Sequence, residues 1–157
     1  MNLVSSVHQQ AVQQPDKIAY HFMGKDTTYG EFELTVGRFA KGLQELGVEK
    51  GDHVAFLLGN TPHYLIALYA TMRLGATAIP INPIYTPDEI SYILHNGDVK
   101  AVIALDALLP LVEKGVQAFP QVTSFIICET TADTAEKNCS LVTRGKSKNT
   151  FIYTGDC

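Results

Sequence analysis

The chain has 157 residues, 46% hydrophobic and 18% charged, with a formal net charge of −4. That length allows one domain with a real core, and an acidic balance without a basic cluster excludes nucleic acid as an expected partner. The opening MNLVSSVHQQAVQQPDK lacks the basic start and apolar run of a secretory leader, and the longest apolar stretch, 64–74, is broken by Thr71 and Arg73, so a cytoplasmic protein without a membrane span is expected.

Leu3, Val4, Val7 and Ala11 recur at helical spacing and predict a short amphipathic helix that Pro15 ends. Residues 18–22 and 27–29 read as a hairpin across Gly24-Lys25-Asp26. Thr28 and Glu31 have the spacing of a capping box. Phe32, Val36, Phe39, Ala40, Leu43 and Leu46 then mark one buried helical face, closed by Gly47. Residues 54–58 form a continuous apolar run, as expected of a strand covered on both sides. Thr61-Pro62 supplies an N-cap and first-turn proline for a helix that Gly75 closes. Residues 77–81 predict the next strand. Thr86 and Glu89 repeat the capping box before a helix ending near Asn96-Gly97. Val99–Leu105 and Ser124–Cys128 predict two more strands, with a helix over 107–118 that Pro110 interrupts. Strands alternating with helices over short connections predict an α/β fold: a mostly parallel, flavodoxin-like sheet with flanking helices, plus the small N-terminal hairpin. Residues 130–150 are poor in apolar side chains and read as a polar linker or loop, and 151–153 as one further short strand.

In open parallel sheets ligands bind beyond the carboxyl ends of the strands. Asn60, Asn82 and Tyr85 are the polar candidates there, although both asparagines also suit turn-capping roles. The fingerprint G-x-G-x-x-G and the complete G-x-x-x-x-G-K-[ST] loop are both absent. His8, His21, His53, His63 and His95 lack metal-ligand spacing and read as solvated or hydrogen-bonded imidazoles. Cys128, Cys139 and Cys157 lack CxxC spacing, which argues against both a disulfide framework and a zinc site. No catalytic or metal-binding residue is assigned. What remains is the tail NTFIYTGDC, a short strand followed by Thr154-Gly155.

Thr28-Tyr29-Gly30-Glu31, Gly47-Val48 with Lys50-Gly51-Asp52, Gly75-Ala76, Pro80-Ile81-Asn82-Pro83 and the helix start Asp88-Glu89-Ile90 occur in consistent order over about residues 8–130. Together they resemble the N-terminal subdomain of the adenylate-forming (AMP-binding) enzymes. PINPIYTPDEISYIL is most similar to bacterial medium- or long-chain fatty-acid CoA ligases, the acyl-CoA synthetases. The resemblance implies an intact ligase that uses ATP and magnesium to activate a fatty acid and then transfers the acyl group to coenzyme A. It implies that Thr154 begins the phosphate loop, because Phe151-Ile152-Tyr153-Thr154 matches the family's strand and first loop residue. The family's following serine, threonines and lysine are replaced by Gly155-Asp156-Cys157. Tyr-Thr-Gly-Asp is also similar to a later family motif whose aspartate binds the adenylate ribose, so two placements stay open.

The expected organisation is an N-terminal α/β subdomain over 1–129, a polar linker over 130–150 and a phosphate-loop entrance over 151–157. On this reading the chain alone is an inactive scaffold without cofactors of its own. Its partners are the remainder of the synthetase and, in the intact enzyme, fatty acid, ATP and CoA, with a homodimer open. The alternative is a freestanding flavodoxin-like module that binds a small ligand or another protein.

Overall fold

The structure, a computed structural model, describes residues 2–108, 110, 111, 114 and 122–128, and the backbone of 150–153. In chain order it runs α1 (Leu3–Gln13), β1 (Ile18–Phe22), β2 (Lys25–Thr28), α2 (Tyr29–Glu45), β3 (His53–Leu57), α3 (Pro62–Arg73), β4 (Thr77–Pro80), α4 (Pro87–Asn96), β5 (Val99–Leu105), β6 (Ser124–Cys128) and β7 (Thr150–Tyr153). Strands β1 and β2 pair antiparallel, and the other five form a parallel sheet in the order β4-β3-β5-β6-β7. The chain therefore starts inside the sheet, steps outward to β4, then crosses β3 to continue on the far side. This is the flavodoxin-like order, with its reversal between β3 and β5.

The apolar run at β3 is explained by two cores, one on each face. Val54, Phe56 and Leu58 point to one side and pack with Phe32, Val36, Phe39 and Leu43 of α2 and Ala67 and Ala70 of α3. Ala55 and Leu57 point to the other, among Val102, Ala104, Phe125 and Ile127 of the sheet and Ile90 and Leu94 of α4. The period of two along each strand makes this division automatic. Small residues Ala67 and Ala70 let α3 lie close to the sheet, while the large α2 side chains fill the space beside it. Each fully buried Phe or Leu contributes about 1.5–3 kcal/mol relative to exposure.

A second layer covers the α2/α3 face. Tyr20 meets Phe32 edge-on at 5.6 Å between ring centroids, and Phe32 meets Tyr69 at 5.4 Å, which fastens the hairpin to both helices. Helix α1 has no fully buried residue. It contributes Val7 to the core edge and is tied by polar contacts. The His8 Nδ1–H donates to the Glu33 carboxylate at 2.8 Å, and Glu33 also receives the Arg73 guanidinium. One carboxylate thus links α1, α2 and α3.

Both predicted capping boxes are present. Thr28 accepts from the Glu31 N–H while the Glu31 carboxylate accepts from the Thr28 N–H at 2.8 Å; Thr86 and Glu89 do the same. These bonds hold both carboxyls below the ordinary glutamate range. Gly47 has φ +84, the left-handed conformation that ends α2.

Several expectations are corrected. The hairpin turns at Met23-Gly24, both at positive φ, and β2 already begins at Lys25. Thr61 precedes α3, but its hydroxyl donates back to the Leu58 carbonyl at 3.2 Å and makes no cap bond to the helix. The sheet strands begin and end one residue earlier than read at β3, and β4 stops at Pro80. The helix over 107–118 falls largely outside the described residues: Asp106–Leu108 is a 3-10 turn, and Pro110, Leu111 and Lys114 are helical. The linker over 130–150 also lies outside them, except for Thr150, which opens β7.

Candidate functional site

Parallel pairing sends all five strands out through one rim of the sheet. At β3 the exit is Leu58-Gly59-Asn60-Thr61. Gly59 turns the chain with φ +58, and the Thr61 N–H bonds the Gly59 carbonyl at 3.1 Å, which sets Pro62 as the first residue of α3. At β4 the exit is held by the Ile81 N–H on the Phe56 carbonyl at 2.8 Å. Asn82 Oδ1 then accepts from the Ile84 N–H at 3.1 Å, and the Asn82 carbonyl accepts from the Tyr85 N–H at 3.1 Å. Asn82 is therefore occupied in shaping its own turn. At β5 the exit is Asp106, whose carboxylate accepts from the Ala107 N–H at 2.8 Å.

These residues do not converge on one cavity. Asn60 lines a cavity of about 340 Å³ between the hairpin and α3, with Tyr20, His21, Phe22, Thr61 and Tyr64 among its walls. Tyr85 lines a separate groove of about 420 Å³ along α4. Thr154 lies outside the described residues; β7, the strand before it, pairs parallel with β6 and so runs toward the same rim.

The rim contains a histidine that the sequence places correctly in the first turn of a helix but reads as an ordinary solvated or hydrogen-bonded imidazole. His63 stands in the first turn of α3, beside the sheet's reversal point, and its Nδ1 is buried with no hydrogen-bond partner among the described residues. Burial pushes its pKa below the ordinary histidine value, while the neighbouring Asp106 carboxylate pulls the other way. The ring is thus held neutral. His8, His21 and His53 do follow the hydrogen-bonded reading. His21 pairs with Asp26 at 2.6 Å, and the His53 Nδ1–H donates to the Gly97 carbonyl at 2.5 Å. The signal for His63 was topological: a histidine just after one central strand faces an aspartate just after its neighbour, which is visible only once strand order is known.

The chemistry available on this rim is poor in positive charge. Residues 57–63, 81–89 and 105–108 include no Lys or Arg. Among the described residues no group of three His, Cys, Asp or Glu is placed to hold a metal ion. No helix of the described residues is long and apolar enough to cross a membrane. The described rim can orient backbone and hydroxyl donors, but it lacks the cationic groups that polyphosphates require.

A flavodoxin-ordered parallel sheet with helices on both faces defines an open, doubly wound α/β unit. The pattern of the AMP-binding enzyme family matches residues 7–152. The chain belongs to that family. It is 36% identical over 108 residues to a long-chain-fatty-acid–CoA ligase of Bacillus subtilis (strain 168), a match covering 69% of this chain and 19% of the relative. It is 32% identical over 116 residues to the enzyme of the same description from Escherichia coli O6:H1, covering 73% and 21%. A solved fatty acyl CoA synthetase of Mycobacterium tuberculosis superposes with a TM-score of 0.74 at 30% identity, over 80% of this chain and 26% of that one. The chain spans about a fifth of the length of the curated relatives it matches.

Proposed function

We propose that the chain is the N-terminal portion of an ATP-dependent, cytoplasmic fatty-acid–CoA ligase. The intact enzyme would convert fatty acid, ATP and CoA to acyl-CoA, AMP and pyrophosphate, with magnesium on the phosphates. The observation that carries this reading is the family match, which extends through 7–152 up to the strand before Thr154. Residues 1–129 act as the scaffold subdomain, 130–150 as a linker and 151–157 as the entrance to the phosphate loop, where the Thr154 hydroxyl contacts phosphate. Activation of a carboxylate places developing charge on the phosphates, which a preorganised set of donors and cations must meet. The described rim has no Lys or Arg and a neutral His63, so those cations come from elsewhere in the ligase. Fatty acid, ATP, CoA and the remaining ligase polypeptide are its partners, and two intact ligases pairing as a homodimer is compatible with it.

Calorimetric titration of the 157-residue chain with ATP and magnesium, together with pyrophosphate release on a panel of fatty acids, tests this. Little or no ATP binding and no pyrophosphate release are expected. Micromolar ATP affinity, or release that depends on the fatty acid, would overturn the scaffold reading. Tight binding of a different small molecule at Asn60 would favour a freestanding binding module.

A further inference from the structure

We propose that the outer flank of α4 is a docking face for a polypeptide segment carrying a lysine or arginine, supplied by ligase polypeptide beyond this chain; the source of that segment rests on the ligase reading above. Helix α4 turns Ile90 and Leu94 into the core. Its other flank opens the groove of about 420 Å³, lined by Tyr85, Asp88, Glu89, Tyr92 and Ile93. Tyr92 is 71% exposed, Tyr85 40%, and Ile84, just before the helix, 83%. Tyr85 and Tyr92 are exposed along the same groove, which marks a contact face, whereas isolated exposed side chains need no explanation. The opposite face of the sheet shows the contrast. There, among the described residues, α2 and α3 carry a second layer of hairpin and α1, and Tyr20, Phe32 and Tyr69 are packed edge-to-face.

The charge of the groove selects its occupant. Tyrosine faces attract cations, and a carboxylate at the rim strengthens that preference. Glu89 is engaged by its capping box, while Asp88, one position earlier, takes no part in the cap. Two copies of this chain meeting through the groove would set Asp88 and Glu89 against their own counterparts, which disfavours self-pairing. A segment bearing Lys or Arg fits both features at once: its stem covers the tyrosines and its head meets Asp88. In the Mycobacterium tuberculosis synthetase the matched region is 26% of a longer chain, so a larger body is there to supply such a segment.

Hydroxyl-radical footprinting with mass spectrometry tests the face. Tyr85 and Tyr92 should react readily in the 157-residue chain. They should be protected at least tenfold in a chimera that carries the matched stretch of this chain in place of its counterpart in the Bacillus subtilis ligase. Asp88→Lys in the chimera should restore most of the reactivity. Equal reactivity in chain and chimera overturns the proposal, as does concentration-dependent protection in the chain alone, which would assign the face to a second copy. Should the chimera not unfold cooperatively, the intact Bacillus subtilis ligase decides. Free reactivity along its helix aligned with Pro87–Asn96 overturns the proposal, and protection supports it. Pyrophosphate release by the chimera reports separately on the ligase reading, so an active chimera with reactive tyrosines refutes the docking face alone.

Discussion

Substituting Gly97 with alanine sets two physical effects against each other. Gly97 ends α4 with φ −79 and ψ −1, a conformation open to any residue. Loss of freedom in the unfolded chain would therefore make alanine stabilising by about 0.4–1 kcal/mol. The surrounding space argues the reverse. A Cβ at this position would lie 2.8 Å from the Ile93 carbonyl oxygen, 2.9 Å from Ile79 Cδ1 and 3.3 Å from Val99 Cγ2. The Ile79 methyl can rotate away. The Ile93 carbonyl cannot move freely, because it accepts the Gly97 N–H at 2.8 Å. Nor can Gly97 retreat without cost, since its own carbonyl receives the His53 Nδ1–H and so ties α4 to β3. Overpacking of this kind costs about 1–3 kcal/mol. After the opposing gain, a net loss of about 1–2 kcal/mol is expected. With a slope of about 2 kcal/mol per molar urea, the unfolding midpoint of Gly97→Ala falls by about 0.5–1 M. A midpoint equal to or above the wild-type value would show that the contact is not rigid and would refute the reasoning.

Thr28→Ala and Thr86→Ala should each lower stability by about 1 kcal/mol, read as a shift in the same urea midpoint; an unchanged midpoint would deny the capping boxes their role. His63 makes stability depend on acid. Its folded-state pKa is depressed, so as the pH falls through the ordinary value of 6.5 the unfolded chain takes up the proton first. The stability it leaves intact above that pH is lost progressively below it. Denaturation of wild type and His63→Gln between pH 7.5 and 5 should therefore show a steeper acid loss in the wild type, and parallel curves would contradict a depressed His63 pKa.

Elements were legible where one local rule was enough. The capping boxes, the strands Val99–Leu105 and Ser124–Cys128, and the glycine after α2 follow from spacing alone. The errors fall where tertiary contacts compete with local preference. Thr61 looked like a cap, but the Leu58 carbonyl left over at the strand exit captured its hydroxyl. The hairpin looked longer in its loop because Lys25 and Asp26 are polar, yet Met23 accepts positive φ and the strand starts at once. The rim was predicted as a place, and its polar residues were found there, but Asn60 and Tyr85 line different cavities and Asn82 is taken up by its own turn. The relation of His63 to Asp106 depends on β3 and β5 being neighbours, and 48 residues separate Leu57 from Leu105.

That separation also bears on how the chain is made. Strand β3 pairs only with β4 and β5, both of which follow it, and β5 is the strand that joins it to the rest of the sheet. During synthesis at about 5–20 residues per second, the run from Val54 to Leu58 is out of the ribosome roughly 2–9 s before Leu105 follows it. Hairpin β1–β2 closes within about 10 μs of emerging. The nascent chain thus holds an amino-terminal hairpin beside an apolar segment with one face uncovered, an interval in which a chaperone or a neighbouring nascent chain competes for Ala55 and Leu57.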